Sequence, residues 1–64
     1  MKTIQIEIRQ QNENVQLYNL YVGYDKKYPQ LHCMALSYDE AEQLGFRIIC
    51  VNRDCKPEII IHKY

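Results

Sequence analysis

Residues Lys2 to Gln10 alternate between apolar and polar positions: Ile4, Ile6 and Ile8 fall on one side, Gln5, Glu7 and Arg9 on the other. A period of two puts successive side chains on opposite faces of an extended chain, so a half-buried strand is expected here. The polar run Gln11-Asn12-Glu13-Asn14 reads as a turn. A second strand is expected from Val15 to about Tyr24, with a flaw in its alternation. Val15 and Leu17 share one parity, while Tyr18, Leu20 and Val22 share the other. A bulge near Leu17, or cover on both faces, would each account for the switch. "DKKYP" follows as a loop, and Pro29 disfavours helix at Tyr28.

Residues 30–44 admit two readings. Leu31, Met34 or Ala35, Tyr38, Ala41 and Leu44 could form one helical stripe, or a strand from Leu31 to Leu36 could precede a helix from Tyr38 to Leu44. Capping chemistry favours the second. Ser37 and Glu40 have the S-x-x-E spacing in which each side chain satisfies a backbone N–H of the other, and Leu36 and Ala41 can staple the entry. Asp39 and Glu40 in the first turn suit the positive end of the helix dipole. Gly45 is expected to stop the helix, with Phe46 touching Ala41. Beyond it, "FRIICVN" and "EIIIHK" read as a hairpin around "RDCKP".

The expected order is thus β-β-β-α-β-β: an α+β domain with a small, predominantly antiparallel sheet of about five strands and one short helix on one face. The runs "RIICV" and "EIII" are nearly continuous in apolar character, which suits strands covered on both faces. A helix of two turns cannot shield such a sheet. The rest of the cover is expected from a Tyr-rich loop or from a second copy of the chain.

At 64 residues the chain is one domain. Domains this small bury only about 60% of the unfolded chain's surface and are marginally stable without help. No apolar run approaches the ~20 residues that cross a bilayer. The amino-terminal alternation lacks the apolar stretch of about 7–15 residues in a secretory signal. A cytoplasmic location with reduced thiols is therefore expected, and an odd count of three cysteines fits a disulfide framework poorly. Eight basic and eight acidic side chains give a formal net charge of zero. That leaves little surplus for phosphate neutralisation and favours a protein or small-molecule partner over nucleic acid.

The candidate chemistry is thin. Cys50 and Cys55 form one close pair, whereas a structural zinc site wants four converging Cys or His ligands. Cys50 shares strand parity with Ile48 and Phe46 and is expected to point into the core, and Cys55 to lie exposed in a turn. His32 and Cys33 are adjacent and would face opposite sides of a strand. His62 shares parity with Ile60. No metal site or cofactor is expected. No nucleophile elbow, phosphate loop or H-E-x-x-H motif is present, and Gly23 and Gly45 are the two glycines available, so an enzyme is not expected. Asp39, Glu40 and Glu42 read as a solvated helix face.

The tyrosines stand out: six of 64 residues, against one Phe and no Trp. Tyr21, Tyr24 and Tyr28 are interleaved with Lys26 and Lys27. A broad apolar ring with a polar tip suits a binding surface, and equally suits a lid over a thin core. These five residues are the expected partner-binding set. The expected function is a small, non-catalytic intracellular interaction module. It would form a homodimer, or bind or inhibit a protein partner, through this loop and a sheet edge. Phage and mobile elements often encode compact inhibitors of this kind, an analogy of size alone. A second reading is a single-stranded nucleic-acid binder using the same loop with Arg47 and Arg53. A third is a zinc or thiol protein.

Overall fold

Strand β1 (Thr3–Gln10) is the axis of the fold, and its alternation is what makes it so. In the computed structural model, which describes residues 2–64, Ile4, Ile6 and Ile8 are sealed from solvent. Strand β2 (Tyr18–Tyr24) pairs antiparallel with β1 and sets Tyr24, Val22, Leu20 and Tyr18 opposite Ile4, Ile6, Ile8 and Gln10. The interrupted alternation of this segment resolves simply: β2 begins at Tyr18, and Val15 and Leu17 belong to the preceding loop. That loop is closed by hydrogen bonds from the Gln11 N–H to the Leu17 carbonyl (2.9 Å) and from the Gln10 side-chain amide to the Val15 carbonyl (2.8 Å).

Strand β3 (Gln30–Leu36) pairs antiparallel with the outer side of β2, so the strand reading of this stretch is correct. Helix α1 (Tyr38–Val51) then crosses one face of the sheet, and β4 (Lys56–His62) lies parallel to β1 at the far edge. The sheet order is β3-β2-β1-β4. The fold is α+β, as expected, with two corrections: the sheet has four strands rather than about five, and it is mixed rather than predominantly antiparallel.

Both corrections have one cause. Helix α1 does begin at the Ser37–Glu40 capping box: the Ser37 hydroxyl accepts from the Glu40 N–H (3.2 Å) and the Glu40 carboxylate accepts from the Ser37 N–H (3.1 Å). It does not stop at Gly45. Residues 46–51, expected as a strand, are its last turns. Ala41, Leu44, Gly45, Ile48 and Ile49 recur at helical spacing and form the buried stripe, so tertiary burial overrides the β propensity of the Ile-Ile-Cys-Val run. Gly45 is therefore not a stop signal. A Cβ there would meet Ile6 Cγ2 at 3.0 Å, so the missing side chain is what lets α1 settle onto β1. The helix ends at Asn52, whose backbone N–H donates to the carbonyls of Ile48 and Ile49 and whose side-chain amide donates to Ile48 (2.8 Å).

The core gathers Ile4, Ile6, Ile8, Tyr18, Leu20, Val22 and Ala41. Tyr38 packs edge-on against Tyr18 with ring centroids 5.2 Å apart, and Lys63 lies over the Tyr38 ring. The Tyr64 N–H donates to Gln10 (3.0 Å) and ties down the carboxyl end. No helix among the described residues is long and apolar enough to cross a membrane.

Candidate functional site

The expected partner-binding residues do not form one surface. Tyr21 lies on the sheet face away from α1, half-buried, with the Arg9 guanidinium 4.7 Å from its ring centroid. Tyr24, opposite Ile4, lies on the helix side and lines a shallow depression with Arg47, Ile48 and Val51. Tyr28 is 86% exposed in the loop between β2 and β3. Asp25 and Lys26, at φ 52° and 64°, are both left-handed, and the Lys27 N–H donates to the Tyr24 carbonyl (3.0 Å). This is the arrangement of a type I′ turn. Lys26 and Lys27 are exposed on it. The loop then folds back over Gly23, where a Cβ would stand 2.7 Å from the Lys27 carbonyl oxygen. So the glycine serves close backbone approach, and the tyrosines are dealt to different faces.

The thiols are also separated. Cys50, expected in the core, is exposed on α1, because its segment is helix and its position falls off the buried stripe. Cys55, expected to be exposed, is half-buried against the core, and Cys33 is half-buried as well. Burial, reinforced by Asp54 and Asp25, pushes the Cys55 thiol above its ordinary pKa. Among the described residues, no three His, Cys, Asp or Glu side chains converge on a point where a metal ion could sit.

On the face away from α1, Glu7 is buried to 9% side-chain exposure beneath its neighbours. Its carboxylate accepts from Arg9 Nη2 at 2.7 Å and lies 3.1 Å from His62 Nε2. The hydrogen bond and charge of Glu7 raise the Arg9 pKa above its ordinary value. This cluster clamps β4 to β1, since Arg9 and His62 are register partners. Arg9 Nη2 and His62 Nε2 both converge on one oxygen of Glu7, which reads as a structural clamp.

The more distinctive surface is on the helix side. Helix α1 packs chiefly on β1, β2 and β3 and leaves much of β4 exposed. Between α1 and β4 runs an apolar groove of about 120 Å³, floored by Ile6 and Ile8 and walled by Phe46, Ile49, Ile59 and Ile61. Phe46, Ile59 and Ile61 are 51%, 49% and 44% exposed. The sequence reading missed this groove. Its signal was present in the continuous Ile59-Ile60-Ile61 run, which suggested two covered faces, whereas the structure covers neither fully.

The two sheet edges differ as well. Edge strand β3 is irregular: its register with β2 shifts between Tyr18 and Leu20 and again between Leu20 and Tyr21, and Ala35 is left-handed at φ 57°. Bulges and kinks of this sort blunt an edge against further pairing. Strand β4 runs in unbroken register with β1 from Lys56 to His62. Its outer side is open, and its apolar stretch Ile59–Ile61 adjoins the groove. No protein-family model, curated protein or solved structure matches this chain.

Proposed function

We propose that the protein is a non-catalytic interaction module that docks its partner along the free edge of β4 and the adjoining α1–β4 groove. The observation that carries this reading is a bulge-free edge, apolar over Ile59–Ile61, beside an unfilled apolar groove, on a chain whose other edge is broken by bulges. Monomeric proteins normally protect such edges, because a row of unpaired backbone N–H and C=O groups templates strand addition. Strand addition draws its affinity from main-chain hydrogen bonds and its specificity from pockets that take alternate side chains. Phe46, Ile49, Ile59 and Ile61 provide that pocket. The Tyr24–Tyr28 turn stands apart from it and is a rim at most.

The test tethers the chain sparsely, so that copies cannot meet, and pans it against a library of displayed linear peptides. Peptides of alternating apolar character are expected to be enriched on the wild type and on a Tyr24→Ser, Tyr28→Ser double variant. They are expected to be lost on Ile61→Lys, with circular dichroism checking that each variant is folded. Enrichment that instead depends on the two tyrosines moves the site to the loop. Absence of any enrichment removes the docking edge.

A further inference from the structure

The occupant of this edge follows from its own chemistry. The Lys56 N–H donates to the Lys2 carbonyl at 2.8 Å, and the register with β1 continues unbroken to His62. In a parallel ladder the residues of a strand alternate between bonding the neighbour and facing away. Lys56, Glu58, Ile60 and His62 are therefore engaged with β1, and Pro57, Ile59, Ile61 and Lys63 turn their backbone groups outward. Pro57 has no N–H to offer and sits where none is needed, as edge prolines do.

We infer that the strand which completes this edge is β4 of a second copy of the chain, laid antiparallel across a two-fold axis through Ile60. The inference rests on the docking reading above and names its partner. Three observations select it. First, an antiparallel pairing centred on a residue lets outward residues meet outward residues; centred on Ile60, Ile59 faces Ile61 of the other copy, and Pro57 faces Lys63. Ile59 and Ile61 then exchange N–H···O=C bonds in both directions, and each Lys63 N–H donates to a Pro57 carbonyl. Second, polar groups match: Glu58, which makes no ion pair among the described residues, comes opposite the imidazole of His62 of the other copy. Centring the axis on Ile59 instead would set Lys56 against His62, and centring it on Ile61 would set Ile60 against His62 and Glu58 against Tyr64. Third, the axis stands perpendicular to the sheet, so both helices lie on one face. The two grooves then merge over a shared floor of Ile59 and Ile61, with a Phe46 on either side. An isologous pairing of this kind uses one patch twice and closes on itself, so it gives a dimer rather than a fibre. An edge of seven residues is short, and a reversible dimer is expected.

The experiment combines sedimentation with a cross-linking register scan on the full chain carrying Cys50→Ser, since Cys50 is exposed and would couple by itself. A concentration-dependent monomer–dimer equilibrium is expected. Ile60→Cys should form a disulfide dimer under mild oxidation, because residue 60 meets itself at a close non-hydrogen-bonded pair. Ile59→Cys and Ile61→Cys alone should not, while mixing the two should couple them. Ile59→Pro removes one outward N–H without touching the β1 ladder, and it should leave a folded monomer. Self-coupling at residue 59 or 61 overturns the register. A strict monomer overturns the second copy as occupant, and the docking reading then stands or falls on the peptide selection.

Discussion

Cys50 and Cys55 are close in sequence, yet the fold gives them opposite chemistry. Cys50 projects from the solvent side of α1, while Cys55 is tucked against the core beside two carboxylates that disfavour its thiolate. Thiolate is the reactive form, so a disulfide-exchange reagent should label Cys50 fast and Cys55 slowly. Equal rates for the two, followed by mass spectrometry, would contradict this placement. Gly45 makes a second residue-scale point. Alanine is the better helix former by up to about 1 kcal/mol, but here its methyl would press on Ile6, which is itself sealed in the core. Overpacking of that kind costs about 1–3 kcal/mol, so Gly45→Ala should lower stability in urea unfolding, whereas Gln43→Ala on the exposed side should be within about 0.5 kcal/mol of neutral. A stabilised Gly45→Ala would mean that α1 does not sit on β1 as closely as it does here. The composition pointed to Gly45 but not to its role: a glycine in a helical pattern looks the same whether it stops the helix or seats it.

At the scale of elements, α1 shows how far local signals reach. The capping box, the acidic first turn and the strand before it were all legible, because each involves residues a few positions apart. Replacing Ser37 with Ala should cost about 1 kcal/mol. The hydrogen bonds Glu40 accepts from the Ser37 backbone and from its side chain hold its carboxyl below the ordinary value of 4.5. A folded-state pKa below the unfolded one adds stability above the unfolded value, and that share is lost as pH falls through the lowered folded value. Thermal unfolding followed from neutral to acid pH should therefore show a steeper loss in the wild type than in Glu40→Gln. Parallel curves would show that the box adds nothing in solution. The end of α1 was not legible. The Phe46–Val51 run carries β-branched side chains and a helical stripe together, and the choice is made by what lies beneath it. The irregular β3 edge is likewise a product of pairing with β2, and nothing in "QLHCMAL" announces it.

At the scale of the whole molecule, the decisive event is the meeting of the two ends of the chain. β1 and β4 pair in parallel, clamped by Glu7, Arg9 and His62, and this pairing makes β4 an edge strand whose apolar face α1 does not cover. On the helix side, the part of the sheet that α1 leaves uncovered is one strand and one groove, and the tyrosine loop does not line that groove. By itself the sequence determined the α+β character, the first strand and its core isoleucines, and where the helix begins. It could do so because period, capping and turn chemistry act over a few residues and hardly depend on what is packed against them. Only the tertiary structure decided how far the helix runs, which strands are neighbours, which side of Cys50 meets water, and which edge stays open. Those outcomes depend on contacts between residues tens of positions apart, such as Gly45 on Ile6 or His62 beside Glu7, and no local pattern encodes which of several apolar segments will meet.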